Sequence, residues 1–515
     1  MATIQSQMAA EETIVAMCPL GSVAMLSEGL KSASLNYCHW KSNNTLDQSG
    51  SGDKDIDLLI DRSDSLKFSS LVAQFGFKLA HAPSEKEMPG VLNYFGYDAA
   101  ADKCVHVHAH YQLIAGHDLS KNYRLPVELA YLETSSQQGI FKVPMPEFEF
   151  IVFVIRMVLK HSTWFAILGG EGRLKAAERD ELLYLLQRVD RPRLDMILDR
   201  HLPYFGVTLF WKCVDSLSSN STIPLRANVG RQVEKKLRTH ARHSSYRDLV
   251  LKATRRVALA ARRRLHFSMP KYRLGCGGMV IAVVGGDGAG KSTAVDAMHR
   301  WLSENFATNC VHLGKPAWSP LTKGIRGLLK IGHLTGLYGA EASTRDTLNE
   351  KSLVSPGYAW IIREVCRARD RYWTYMRGRR CAANGGIVIF DRFPLAQVEL
   401  MDGPSIRRFV STLASSPEAG CFLRPRPTSW LVKLLTQLEE KYYKEIVSPD
   451  LLFVLRVNPE TAIERKPDEV ESFVRERSKE IWELDWPHQG IHVIEADKGK
   501  TEVLAEIKQL VWEHL

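Results

Sequence analysis

The sequence of 515 residues predicts an α/β chain of more than one domain, with a C-terminal parallel sheet flanked by helices behind an N-terminal α+β region that has a helical extension. Three observations carry this reading. The chain is too long for one hydrophobic core. From residue 276 onward, buried-strand patterns alternate with helical ones, and one strand runs straight into a glycine-rich loop. Strand patterns also stand at Asp53–Ile60 and Cys104–Ile114, before a helical stretch from Glu147 to about Asp215. The resulting expectation is an α+β domain over 1–130, a helical extension over 131–225, a basic helical linker over 226–275 and the sheet domain over 276–515.

Composition sets the outer bounds. With 45% hydrophobic and 24% charged residues the chain is an ordinary globular one. Met1 to Glu12 carries two glutamates and no basic residue, which does not resemble a signal peptide. The most apolar helical run, Phe148 to Leu159, is short and interrupted by Arg156, too little for a membrane span. Nine cysteines lie scattered without a C-x-x-C pair, so free thiols in a reducing cytoplasm are expected and a structural zinc site on cysteine is not.

The formal charge of +10 is local. Between Arg226 and Arg273 there are fifteen Lys or Arg against Glu234 and Asp248, so the remainder is close to neutral. Val250 to Phe267 reads as a basic amphipathic helix between the two candidate nucleotide sites. Anionic lipid headgroups, a nucleic-acid backbone or an acidic surface of the same protein would each fit it, as would a plain solvated connector. A peripheral position at a membrane follows from the first of these.

In the N-terminal region, Asp55 and Asp57 sit two apart in a strand pattern and point to one face. Paired carboxylates of this kind suit a Mg²⁺ that presents a nucleotide triphosphate, although a solvated strand-edge pair would look the same. Strict alternation from Cys104 to Ile114 places His106, His108 and His110 on a common face. His161 and Trp164 read as packed residues of a half-apolar helix. The D-x-D strand followed by a histidine-bearing strand resembles the nucleotidyltransferase superfamily over roughly residues 20–125. That resemblance puts His108 at the third carboxylate's place, His110 at a family histidine and Lys41-Ser42 where the superfamily has Gly-Ser. It implies a second metal site at Asp55, Asp57 and His108, in either a catalytic or a binding role, closed by the helices of the extension.

Toward the C-terminus, Ile281 to Thr293 contains the phosphate-loop pattern G-x-x-x-x-G-K-[ST] from Gly285 to Ser292. Four apolar residues precede it, while Val295, Met298 and Leu302 follow at helical spacing, so the loop joins a buried strand to a helix N-terminus. Backbone N–H groups there, with the helix dipole behind them, form a ready anion site. Gly285, Gly286, Asp287, Gly288, Ala289, Gly290, Lys291, Ser292 and Thr293 make the expected ATP cradle, with Lys291 reaching the β- and γ-phosphates and Ser292 ligating Mg²⁺. Further strands are expected at Gly386–Asp391, at Leu451–Val457 and at Ile491–Glu495, and a last helix at Thr501–Leu515. The second of the Mg²⁺ partners is expected at Asp391.

Four segments together resemble thymidylate kinases over about 240 residues. They are the Asp-Gly-x-Gly-Lys loop at 287–291, Ala368-Arg-Asp-Arg371, Asp391-Arg392-Phe393 and the strand Pro449 to Arg465 that leads into a lid. The resemblance implies ATP-dependent phosphoryl transfer to a nucleoside monophosphate, most simply dTMP to dTDP. Arg371 and Arg392 would grip the acceptor phosphate, and Asp287 would touch its sugar. Some members carry an arginine in the loop where this chain has Gly288, so the lid would supply that cation from Arg465 with Arg475 or Arg477. A kinase for a sugar or lipid-linked acceptor at a membrane and a nucleotide-gated regulatory protein without turnover are the alternatives. A homodimer is a further expectation.

Overall fold

The computed structural model describes residues 18–335, 358–395, 397–398, 403–407, 429–486 and 490–515. The chain divides after Pro270 into two compact units.

The first unit is built on strands β1 (Tyr37–His39), β2 (Ile56–Ile60), β3 (Lys78–His81), β4 (Val91–Asp98) and β5 (Lys103–His110), in the spatial order β1-β2-β5-β4-β3. β2 and β5 are parallel, pairing Asp57 with His108, and their other neighbours run antiparallel. One face of the sheet carries Ile56, Leu58, Ile60, Val105, Val107 and Ala109, and these pack with Leu26 and Leu30 of helix α1 (Gly21–Ser32) and with Phe68 and Val72 of α2 (Ser65–Gln74). The opposite side of β2 presents Leu59 to a second core that is built around helix α3 (Pro146–His161). α3 is buried nearly all round because helices α4 (Ala176–Leu186), α5 (Arg191–His201), α6 (Val207–Ser216) and α7 (Ile223–Lys236) pack on it. β2 therefore lies between two apolar layers, which is why its sequence is nearly continuous in apolar residues.

As far as Pro270 the basic segment belongs to the first unit. Its helix α8 (Ser245–Arg264) begins before the expected Val250, where the Ser244 side chain accepts from the Arg247 amide, and it folds within the first unit. Arg255 donates to the carbonyls of Leu119 (2.6 Å) and Ser84 (3.3 Å), Arg256 pairs with Glu171 at 3.0 Å and stacks on Phe165, and Arg262 pairs with Glu85 at 2.8 Å. The protein's own carbonyls and acidic groups thus take up these three arginines. Arg263 and Arg264 remain exposed.

The second unit has strands β6 (Met279–Gly285), β7 (Thr308–His312), β8 (Ile387–Asp391), β9 (Leu451–Arg456) and β10 (Ile491–Glu495) in the order β7-β8-β6-β9-β10, all parallel. Helices α9 (Lys291–Ser303), α10 (Pro320–Leu334), α11 (Tyr358–Ala383), α12 (Trp430–Lys444), α13 (Pro459–Glu464), α14 (Glu471–Glu483) and α15 (Lys500–His514) complete the described part. β7 was not expected from sequence. It is the edge strand beside β8, its Asn309 and Cys310 are exposed, and it lacks the apolar run of its neighbours.

Close packing in the first unit is sharpest where α7 crosses the end of α3. A Cβ on Gly230 would lie 2.1 Å from the carbonyl oxygen of Ser162. Gly230→Ala is expected to destabilise this unit by about 1–3 kcal/mol through overpacking, read as a lower midpoint in chemical denaturation. An unchanged midpoint would show that the two helices part freely there.

Candidate functional site

β6 is buried along its whole length and ends at the loop, so the loop is delivered from the centre of the sheet to the carboxyl ends of the strands. Gly290 (φ 81°) caps α9, and Gly288 (φ 76°) adopts a conformation that side chains rarely take. A Cβ at Gly288 would also lie 2.9 Å from the Ala462 carbonyl oxygen. This is a structural reason for glycine at this position.

Lys291 is buried, and its ammonium donates to the carbonyls of Gly285 (2.9 Å) and Gly286 (2.6 Å). No acidic residue occupies the first turn of α9, so the helix N-terminus offers its N–H groups and dipole without a built-in anion. Ser292 and Thr293 are exposed at this end.

Asp287 is buried inside the loop, where Arg477 of α14 donates to its Oδ2 at 2.9 Å. Burial alone would raise its carboxyl. The Arg477 hydrogen bond, with the charges of Lys291, Arg477 and Arg392, outweighs burial and holds it below the ordinary carboxylate range. The Ser478 hydroxyl donates to the Asp287 carbonyl at 3.4 Å, so α14 is fastened to the loop at two adjacent residues. Asp287 is therefore a brace between loop and α14, and the expected contact with an acceptor sugar would have to share it with Arg477.

The expected arginine cluster is divided. Arg477 is committed to Asp287, while Arg475 spends its guanidinium on Glu460 and on Glu471 (2.8 Å), away from the loop groups described here. Arg465 donates to the carbonyls of Ala496 (3.0 Å) and Gly288 (3.5 Å), so it does stand beside the loop. Arg371 is 2% exposed and donates to the carbonyls of Leu313 (2.8 Å) and Gly314 (3.5 Å) and to the Tyr443 hydroxyl. It holds the exit of β7 rather than presenting an open guanidinium to an acceptor. Arg392 adopts a left-handed φ of 58°, which turns the chain sharply after β8, and it acts on Asp287 by its charge.

Asp391 ends β8 and is paired in register with Val283 of β6 and His312 of β7. Its Oδ2 lies 3.7 Å from His312 Nδ1, and its Oδ1 is buried without a hydrogen-bond partner among the described residues. An orphaned carboxylate oxygen at this point is what a hard cation would satisfy, so Asp391 fits the oxygen-donor chemistry of Mg²⁺. Sequence reasoning missed His312, which carried no strand signal. It also missed Glu439, whose carboxylate accepts from the amides of Ser405 (3.0 Å) and Ile406 (2.9 Å) and is pushed up to about 7 by burial.

In the first unit a cleft of about 520 Å³ is lined by Asp57, His108, His110, Lys41, Arg156 and Glu181 among others. The histidine face is formed as the alternation predicts, with successive rings of His106, His108 and His110 in contact. Asp57 is buried with Lys41 Nζ at 2.8 Å and His110 Nε2 at 3.5 Å. Burial would raise its carboxyl, but the Lys41 charge and the His110 hydrogen bond hold it well below the usual range. Asp55, Asp57 and His108 do not form one cluster. Asp55 groups with His106 and His108, whereas Asp57 groups with His108 and His110. Lys41-Ser42 does line the cleft, with Ser42 in a left-handed turn and its amide donating to Glu181 at 3.1 Å. His161 is buried as expected, its ring against the Glu171 carbonyl (2.6 Å) and Glu178 (3.0 Å), but Trp164 is half exposed rather than packed.

A parallel sheet with this loop at the end of its central strand defines the second unit as a phosphate-loop α/β fold. No protein-family model matches the chain. Over 237 residues it is 27% identical to the uncharacterized ATP-binding protein YghR of Escherichia coli K12, covering 45% of this chain and 86% of that protein. Over 231 residues it is 26% identical to the uncharacterized ATP-binding protein YghS of the same strain, covering 42% and 90%. Among solved structures it is similar to a thymidylate kinase from Ehrlichia chaffeensis at 20% identity and a TM-score of 0.25, over 46% of this chain and 99% of that one. A deoxyadenosine kinase from M. mycoides with bound dATP matches at 16% identity and a TM-score of 0.25, over 45% and 99%. No helix among the described residues is long and apolar enough to cross a membrane.

Because the Asp287 carboxyl is held low in the folded state, its contribution to stability is present above its unfolded value near pH 4 and is lost as pH falls through the lower folded value. Asp287→Asn is expected to cost about 1–3 kcal/mol at pH 7, less than a fully buried pair because Arg477 is partly solvated. Denaturant titrations of both proteins should show the gap narrowing below pH 4. A gap independent of pH would mean that the ion pair contributes nothing to the brace.

Proposed function

We propose that the second unit transfers the γ-phosphoryl group of MgATP to a nucleoside monophosphate, most simply dTMP, with release of ADP. The observation that carries this is the buried Lys291 within the Gly285–Ser292 loop, set beside the orphaned Asp391 oxygen at the next strand end. The E. coli relatives described as ATP-binding support the donor. When bound, Mg²⁺ neutralises charge on the phosphate oxygens. Ser292 and Asp391 are the residues that would hold it.

Lys291 exchanges its two carbonyl contacts for phosphate oxygens, and the N–H groups at the start of α9 bind the same polyphosphate. The acceptor's phosphate oxygen forms a bond to the γ-phosphorus as the bond from that phosphorus to the bridging oxygen of ADP breaks. Arg392 and Arg465 are the arginines we assign to the charge that spreads on the transferred group. In this reading Asp287 keeps Arg477 and the loop in one arrangement, so that the cations are in place before reaction begins.

A second reading, a sugar or lipid-linked acceptor at a membrane surface, draws on one feature. Helix α10 exposes Leu321, Leu328, Ile331 and Leu334, carries Lys323, Arg326 and Lys330, and has no acidic residue. Such a helix suits an anionic interface.

A coupled assay of the full chain with ATP, Mg²⁺ and a panel of monophosphates, sugars and lipid-linked acceptors tests both readings. Turnover of dTMP that falls at least ~100-fold in a folded Lys291→Ala variant is the expected result. Turnover confined to a lipid-linked acceptor would move the assignment to the second reading. ATP binding without turnover of any acceptor would sink both in favour of a nucleotide-gated regulatory protein.

A further inference from the structure

The first unit carries a cluster of side chains whose separations match the coordination shell of a metal other than Mg²⁺. β5 brings His106 and His108 to one face two residues apart, and Asp55 leads into the parallel neighbour β2. His106 Nδ1 lies 3.2 Å from Asp55 Oδ1 and 3.2 Å from His108 Nε2, and His108 Nε2 lies 3.5 Å from Asp55 Oδ2. A tetrahedral ion with bonds of about 2.0–2.1 Å separates its donor atoms by roughly 3.3–3.4 Å. The two ring nitrogens and the Asp55 carboxylate therefore stand near three corners of such a shell.

Second contacts orient these donors. The buried Asn93 side-chain oxygen lies 3.3 Å from His106 Nε2 and would accept its N–H when Nδ1 ligates an ion. Phe95 stacks on the His106 ring at 4.1 Å and 6°, fixing its plane. The His108 ring is largely buried and lies against the His106 ring at 4.0 Å, which restricts its orientation. The Asp55 side chain is 57% exposed, which leaves the remaining side of the cluster open to solvent.

The adjoining group of Asp57, His108 and His110 differs, because Lys41 Nζ already stands 2.8 Å from Asp57 and supplies a positive charge there. Two imidazoles and one carboxylate favour zinc and its neighbours, whereas Mg²⁺ demands oxygen donors in octahedral array. We propose that Asp55, His106 and His108 bind a zinc-class divalent ion, with a fourth position open to a water or an anionic oxygen ligand. This site is independent of the kinase reading, since it lies wholly within the first unit.

The test uses the untagged full chain, stripped with a chelator and titrated with Co²⁺ as a spectroscopic probe. One equivalent should bind with the intense visible absorption of a tetrahedral site, and one equivalent of Zn²⁺ should displace it. Asp55→Asn alters a partly exposed side chain and should retain the wild-type circular dichroism while weakening Zn²⁺ binding at least ~10-fold. His106→Ala should lose the signal, and His110→Ala should keep it. Failure to bind one equivalent, loss of the signal in His110→Ala with retention in Asp55→Asn, or a sulfur-to-cobalt charge-transfer band would each overturn the assignment. In the first case the cluster is a histidine–carboxylate ion pair, and in the last the ion sits on cysteine.

Discussion

A strand covered on both faces cannot carry a charged side chain unless a partner for that charge is buried with it, and this constraint decides where chemistry can sit in both units. β6 obeys it completely: from Met279 to Gly285 it has no polar side chain, and its polar groups appear only where the strand ends. β8 is apolar until its last residue, Asp391, whose carboxylate emerges beside the loop. In the first unit β2 is buried throughout, and its one charged residue, Asp57, is held by Lys41 and His110. Polar side chains thus collect at strand ends in the second unit and, in the first, on the face that carries Asp57 and the histidines of β5.

The phosphate loop is short and glycine-rich, so its shape depends on what packs against it. α14 supplies that support. A Cβ on Gly286 would stand 2.7 Å from Ser478 Oγ and 2.8 Å from its Cα, and Arg477 reaches Asp287 from the next position. One turn of one helix thus limits the loop by contact and by charge. The same economy holds Arg371, where three donors close the chain leaving β7 against Tyr443 of α12. Both arginines serve geometry first, and any role toward a ligand must operate through the arrangement they keep.

The parallel-sheet class and the placement of the loop were legible because they rest on apolar run length, glycine spacing and the strand-loop-helix order of residues 281–302. β7 was not, since Thr308-Asn-Cys-Val-His312 is an exposed edge whose pairing with β8 leaves no apolar signature. The histidine face of β5 could be read from alternation alone, because a period of two fixes which side chains share a side. Which carboxylate each histidine meets could not, as that depends on the Asp57 to His108 register between strands fifty residues apart. The arginines were the least legible group. Arg465, Arg475 and Arg477 lie within thirteen positions of one another, yet they face a carbonyl pair, a glutamate pair and a buried aspartate respectively. Proximity in sequence gives cations a common neighbourhood, and partners elsewhere in the chain then divide them.

The two lysines at the candidate sites show how far the units differ in what they can accept. Lys291 donates to two neutral carbonyls at 2.9 and 2.6 Å. Replacing carbonyl contacts by phosphate oxygens exchanges dipoles for full charges, so an anionic ligand gains from the exchange. Lys41 is instead paired at 2.8 Å with the buried carboxylate of Asp57, and a ligand that draws it away leaves Asp57 to the weaker His110 contact at 3.5 Å. Because Lys41 is partly solvated, breaking this pair costs less than the roughly 3–5 kcal/mol of a fully buried one. An anion at the loop would therefore replace carbonyl dipoles, whereas an anion in the cleft of the first unit would compete with the Asp57 carboxylate for Lys41.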